Sequence, residues 1–361
     1  MSPHPHLFDF DTTSARFEAW WLGNKTDRPP VSLHVETEPD SALPQSHHPS
    51  LRERWLDVDF QVELAFATLE SKQHFGDTVP SWMPNVGPDL TSTLFGAELE
   101  FGENTSWCQK TIHEPQDWDR FLETPPNFDN LYWRNIETMI DRAAERFAEQ
   151  YYVAMPDLHG SFDILSGLRG AEDLCLDLID DPEPVRRASL HASRAYVAAY
   201  ERFDAHLTSL KQPRTTWSTY LHDGPAYVPS CDFWCLVSGQ IARELVVPTL
   251  ELEVTPLKRT LFHLDGPQAL HHLDLVLQLP GLNAVQWVYG AGQGRASDWL
   301  DVYRQCREAG KSVQILAQDT EDALHVLREL GPDGMWITVC NPLPSDDHAI
   351  EFLDTVNQLY A

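Results

Sequence analysis

Thr260-Leu261-Phe262-His263, Ala284-Val285-Gln286-Trp287-Val288, Ser312-Val313-Gln314-Ile315-Leu316 and Met335-Trp336-Ile337-Thr338-Val339 recur about 25 residues apart along the last third of the chain. Each run is short and rich in β-branched and aromatic residues, as a strand covered on both faces requires, and each gap has room for one helix. Repeated strand–helix units of this kind build a parallel sheet. Toward the N-terminus the same reading adds Thr215-Thr216-Trp217-Ser218-Thr219, Tyr151-Tyr152-Val153-Ala154-Met155, a strand near Val79-Pro80-Ser81-Trp82, and Val31-Ser32-Leu33-His34-Val35 behind the pair Pro29-Pro30. Eight strands are the number that closes a (β/α)8 TIM barrel. No Gly/Ser-rich linker or charge block divides the chain, so residues 1–361 read as one domain with 1–30 as an N-terminal extension. An open doubly wound sheet is the alternative, because periodicity does not reveal closure.

The first 150 residues elaborate this plan. Proline-rich turns fall at Arg28-Pro29-Pro30 and over 39–49, and an amphipathic run covers 51–69. Two alternating segments, 97–101 and 107–111, flank Gly102-Glu103-Asn104 and predict an inserted β-hairpin. Helices are expected through Leu174 and Phe203 and over 240–250.

Composition narrows the function classes. The 361 residues carry 55 acids against 26 Lys and Arg, a formal charge of -29, which repels nucleic acid and anionic membrane surfaces alike. Residues 1–10 lack a basic stretch followed by an apolar one, and no window approaches the roughly 18 apolar residues of a membrane span, so a cytoplasmic location is expected. The six cysteines are dispersed and read as reduced thiols.

Sites in barrels form at the C-terminal ends of strands, and that placement selects the candidates. His263 and Asp265 lie two apart at the end of one strand, where they make a metal pair, a substrate-binding pair or a turn held by hydrogen bonds. Asp157 with His159 and His222 with Asp223 follow two other strands as acid/imidazole sets for general acid–base work, with backbone capping as the plainer role. Gln286, Trp287 and Trp82 are candidate substrate contacts, and Trp287 equally fits a core position. Cys231 and Cys235 suit packing better than metal, since no second Cys/His pair stands at finger-like spacing. The glycine-rich Gly290-Ala291-Gly292-Gln293-Gly294 lacks a full dinucleotide fingerprint.

Four phrases between residues 150 and 340 resemble the uroporphyrinogen decarboxylase superfamily: Gly160-Ser161-Phe162 through Leu168-Arg169-Gly170 before Asp180-Asp181-Pro182-Glu183; Ser230-Cys231-Asp232-Phe233; Phe262-His263-Leu264-Asp265-Gly266; and Pro280 to Trp287 with Gly290-Ala291-Gly292. The resemblance implies a barrel enzyme acting on a small molecule. In its porphyrinogen decarboxylases arginines after the first strand grip substrate carboxylates, whereas 32–38 here holds no arginine and two acids. In its zinc methyltransferases, which serve corrinoid proteins and coenzyme M, a His-x-Cys pair and a later Cys hold the metal. The matching positions here are His263, Asp265 and Cys340, with Asp in place of the first Cys, which makes the set harder. A zinc-assisted methyltransferase working with a corrinoid protein is therefore the leading expectation. Decarboxylation of a carboxylate substrate and a non-catalytic ligand- or corrinoid-protein-binding barrel are the alternatives, and a homodimer is compatible with each.

Overall fold

A computed structural model describes residues 6–38 and 42–360. The first five residues, Ala361 and the segment 39–41 that opens the proline-rich turn lie outside the described residues. The strands, in chain order, are β1 (Val31–Glu36), β2 (Lys72–Gly76), β3 (Ser81–Trp82), β4 (Leu99–Phe101), β5 (Ser106–Cys108), β6 (Tyr152–Val153), β7 (Ala226–Tyr227), β8 (Arg259–Asp265), β9 (Ala284–Val288), β10 (Ser312–Ala317) and β11 (Met335–Val339). Seven form one sheet in the order β2-β1-β11-β10-β9-β8-β7, parallel throughout except for the antiparallel β2. The four runs that set the fold class are β8 to β11, adjacent and in sequence order, as right-handed strand–helix–strand crossovers place them. A second, two-stranded parallel sheet pairs β3 with β6, and β4 and β5 form the expected antiparallel hairpin.

Three expectations are corrected. Residues 215–219 are not a strand: Thr219 N donates to Thr216 O in a turn, Thr219 takes a positive φ of 58°, and the strand that pairs with β8 is β7, further on. A left-handed residue interrupts any ladder, so strand-forming composition loses to the turn. The runs at 79–82 and 151–155 shrink to two paired residues each, because Pro80 and Pro156 have no N–H to extend a ladder. β2, with its alternation of Lys72, His74 and Gly76 on one face, is an additional strand that the apolar-run reading passed over.

The 51–69 run forms two helices, Leu51–Leu56 and Val58–Glu70, divided where the Asp57 side chain accepts from Phe60 N and restarts the helix. Between Gly239 and Glu253 the helix widens to a π turn over Ala242–Val246 ahead of Pro248. Proline cannot donate to the preceding turn, and Arg186 Nη1 donates instead to Glu244 O at 3.0 Å.

The 1–30 extension contributes a helix, Phe10–Trp21, capped by Asp9. Its buried Phe17, Trp20 and Trp21 pack under the N-terminal ends of the strands. Trp20 Nε1 donates to Gly334 O, just before β11, and Ser312 Oγ at the start of β10 donates to Trp20 O. Trp336 inside β11 meets Trp20 and Phe17 edge to face, with centroids 5.3 and 4.9 Å apart. This aromatic floor covers the N-terminal ends of the strands. Trp20, Trp21 and Trp336 are thus core residues.

Candidate active site at the strand ends

Along β8 to β11 the inward positions repeat every second residue, and in otherwise apolar strands those positions carry polar groups. Register sets His263 beside Gln286 and Gln286 beside Gln314. Gln314 Nε2 donates to Thr338 Oγ1 at 3.0 Å. Gln286 Nε2 spends its two hydrogens on Gln314 Oε1 at 2.7 Å and Ser218 Oγ at 3.0 Å. Gln286 Oε1 is then left to accept from His263 Nδ1 in a short contact. A ladder of amides across four strands thus holds the imidazole by Nδ1–H and leaves the Nε2 lone pair for another partner.

His263, Asp265 and Asp232 each place one ligand atom within 4.8 Å of the others, and among the described residues this is the cluster that can hold a metal ion. Asp232 follows β7 and is positioned from below. The buried Asp163, in the helix Ser161–Arg169, accepts from the backbone N–H of Asp232 at 3.2 Å and of Phe233 at 2.9 Å. Burial and the neighbouring Asp232 both push Asp265 up, against the pull of His263. Two carboxylates held this close together are an electrostatic cost that a cation relieves. One nitrogen and two oxygen donors fit a divalent ion of the zinc, manganese or iron type.

Asp157 and His159 stand against Asp163, the carboxylate that positions Asp232. His159 Nε2 lies 3.4 Å from Asp157 and its Nδ1 3.9 Å from Asp163. Burial alone pulls the imidazole down, but Asp157, Asp163 and Asp232 outweigh it and raise His159 to about 10. The ring is a cation at neutral pH. It is therefore a proton donor and charge partner rather than the near-neutral base that its residue type suggested.

A cavity of about 420 Å³ opens beside His263. Gln286, Gln314 and Thr338 form part of its wall, the displaced segment 217–219 another, and His34, His74 and Lys72 of β1 and β2 a third. Among the described residues no arginine and no carboxylate line it, and Lys72 is the one permanent cation there.

Four expected site residues stand elsewhere. His222 and Asp223 lie at the opposite end of β8, where His222 Nδ1 meets Glu18 of the N-terminal helix at 3.3 Å and Glu18 pairs with Arg259 at 2.7 Å. Six residues of strand, roughly 20 Å, separate Arg259 from Asp265. The chain turns back between 215 and 226, so the residues after the expected strand lead to the floor rather than the mouth. Trp82 faces outward to pack on Phe147 at 6.1 Å, since its neighbour Ser81 takes the inward position. Trp287 is fully buried against Trp299, 5.2 Å away, for the same reason of alternation. Cys340 lines the cavity but stands apart from the metal cluster, and desolvation pushes its thiol up to about 11, away from the thiolate a metal needs.

Asp232, Asp163, Gln314, Thr338 and Ser218 escaped the sequence reading. Gln314 and Thr338 had a signal, namely polar residues at the inward parity of apolar strands. Asp232 was visible within one of the four quoted phrases but carried no role. Asp163 and Ser218 act through tertiary contacts that leave no local trace.

No family model matches the chain, and no curated protein matches it in sequence. Among solved structures, a methyltransferase from Methanosarcina mazei superposes with a TM-score of 0.61 at 13% identity, over 97% of this chain and 99% of that one. A B12-independent methionine synthase from Shewanella sp. W3-18-1, in complex with selenomethionine, reaches a TM-score of 0.38 at 8% identity over 92% and 97% of the two chains. The first likeness shows a shared fold across nearly the whole length of both chains.

Proposed function

We propose that residues 1–361 close into one (β/α)8 barrel domain that works as a metal-assisted methyltransferase on a small organic substrate. Closure is supported by hydrogen bonds that carry on beyond the seven-stranded sheet: Leu33 N donates to Thr78 Oγ1, Ala154 N to Trp82 O, Met155 N to Thr215 O and His263 N to Pro229 O. The observation that carries the functional reading is His263, gripped at Nδ1 by the amide ladder and set between two carboxylates beside a cavity.

His263, Asp232 and Asp265 would hold the ion, zinc first, in place of the set His263, Asp265 and Cys340. A bound divalent metal lowers the pKa of an acceptor thiol toward neutrality. The remaining work falls to the chain itself. Gln286 fixes the imidazole, Asp163 fixes the backbone that presents Asp232, and the cavity orients the acceptor. His159 holds its proton at the mouth, with Asp157 as its counter-charge, ready to neutralise negative charge on the departing donor. The resemblance supplies the donor, a corrinoid carried by a partner protein at the mouth. Decarboxylation of a highly carboxylated substrate is the weaker reading, because the cavity wall offers one lysine and no bidentate arginine to such a ligand.

Elemental analysis of purified protein tests the proposal. About one equivalent of metal per chain is expected, lost in His263→Ala and in Asp232→Ala with thiol methylation. Metal-free protein that neither rebinds zinc nor methylates a thiol would overturn it, and ligand binding without turnover by the metal-loaded protein would mark a binding barrel instead.

A further inference from the structure

The wall of the cavity formed by β1 and β2 has a chemistry that the metal cluster does not use. Register places His34 of β1 directly across from His74 of β2, and Lys72 lies two residues before His74 on the same face. All three line the cavity. Neither ring nor the ammonium makes a hydrogen bond or a close ion pair among the described residues, and the charge acting on His34 from the rim is that of Glu36. Glu36 lies across from Lys72 in the register but is exposed and outside the cavity wall.

Two further facts bear on what fills that space. Among the described residues no acid lines the cavity, although the chain carries 55 of them. Burial and Lys72 lower His34 against the pull of Glu36, and burial with His34 and Lys72 lowers His74 to about 4; both shifts favour the neutral ring, which offers one N–H beside the lysine charge. A molecule with net charge -29 repels anions at long range, and only a local, partly desolvated cation with added donors can retain one.

We infer that Lys72, His34 and His74 form an anion subsite, and that the cavity takes an elongated organic monoanion whose acid group sits there while its reacting end reaches His263. β2 and β8 lie on opposite flanks of the sheet, which keeps the acid group away from the carboxylates of Asp232 and Asp265. One lysine with two neutral rings matches one negative charge. Assigning the bound anion to the substrate rests on the cavity being the reaction site proposed above, whereas the subsite itself does not depend on metal.

The test is equilibrium binding of butyrate and its neutral isostere butyramide to the full chain, by calorimetry and melting shift, with and without chelator. Butyrate should bind about 10- to 100-fold more tightly than butyramide, the worth of one charge-assisted contact set. Lys72→Met should abolish that preference, Lys72→Arg should keep it, and chelation should leave it unchanged. Equal binding of the two probes, no binding of either, a preference that survives Lys72→Met in a variant with unchanged melting temperature, or a preference lost on chelation would each overturn the subsite. Metal content measured on the same samples separates the outcomes: a chain that holds no metal yet prefers butyrate sinks the methyltransferase reading and leaves the anion subsite standing.

Discussion

Glu253 shows how a single residue reports on the interior behind the site. Its Oε1 accepts from Ser161 N at 2.8 Å and Ser193 Oγ at 3.0 Å, tying the helix that carries Asp163 to the long helix Pro182–Ser209. Its Oε2 has no hydrogen-bond partner among the described residues, and Gly160 beside it leaves room for it, because a Cβ there would come within 2.7 Å of that oxygen. Burial outweighs the accepted bonds and raises Glu253 to about 7. A carboxyl raised in the folded state binds its proton more tightly there than in the unfolded chain. Its contribution to stability is therefore complete below the ordinary value of 4.5 and is lost as pH climbs through about 7. Glu253→Gln keeps both accepted bonds and removes the titration. Urea unfolding at pH 5 and pH 8 should show the variant gaining on the wild type at the higher pH, and parallel pH profiles would place the group outside the titration. The same scale explains the corrected roles of His159 and Cys340: an imidazole surrounded by three acids becomes a lasting cation, and a desolvated thiol stays protonated.

At the scale of elements, a few aromatic contacts join the helical layer around the sheet. Trp133, on the helix Leu131–Phe147 capped by Asn130, is fully buried and stacks on Phe203 of Pro182–Ser209 with centroids 4.5 Å apart and planes 16° from parallel. Phe128 closes on it edge to face at 4.9 Å. Its indole N–H has no partner among the described residues, so only packing holds the ring. Trp133→Ala should cost about 3–5 kcal/mol in denaturant unfolding, and Trp133→Phe distinctly less, since it removes the unpaired donor along with part of the volume. Equal losses would mean that the indole nitrogen has a solvent partner. Elements with strong local signals were legible beforehand: β8 to β11, the Leu99–Phe101/Ser106–Cys108 hairpin and the amphipathic helices. Elements whose form depends on neighbours were not. The turn at Thr216–Thr219 overrode a strand-like composition, two proline-bounded strands shortened, and β2 reads as a polar loop until β1 pairs with it.

For the whole molecule, the charge of -29 makes general repulsion larger than the local attractions at the surface. Exposed ion pairs are each worth about 0–1 kcal/mol, and salt screens most strongly the charges that stand farther apart than a Debye length of about 10 Å at 0.1 M. Repulsion among unpaired acids is the larger sum, so raising sodium chloride from low to moderate concentration should raise the melting temperature; a fall would show that paired charges dominate. No described helix is long and apolar enough to cross a membrane. The alternation of strand and helix, the apolar faces and the proline and glycine breaks are written locally in the chain, because they follow from side-chain period and backbone sterics. They determined the mixed strand-and-helix plan with its largely parallel sheet, and strand-end position picked out His263 with Asp265 and, separately, Asp157 with His159 as neighbouring pairs. Which strand ends share one mouth is a property of chain direction in space. Only the tertiary structure could send His222 and Asp223 to the floor, turn Trp82 and Trp287 outward, and bring Asp232 beside His263 in place of Cys340. A reversal of the chain between residues 215 and 226, or a one-residue change of inward parity, moves a side chain to another face without altering the composition around it.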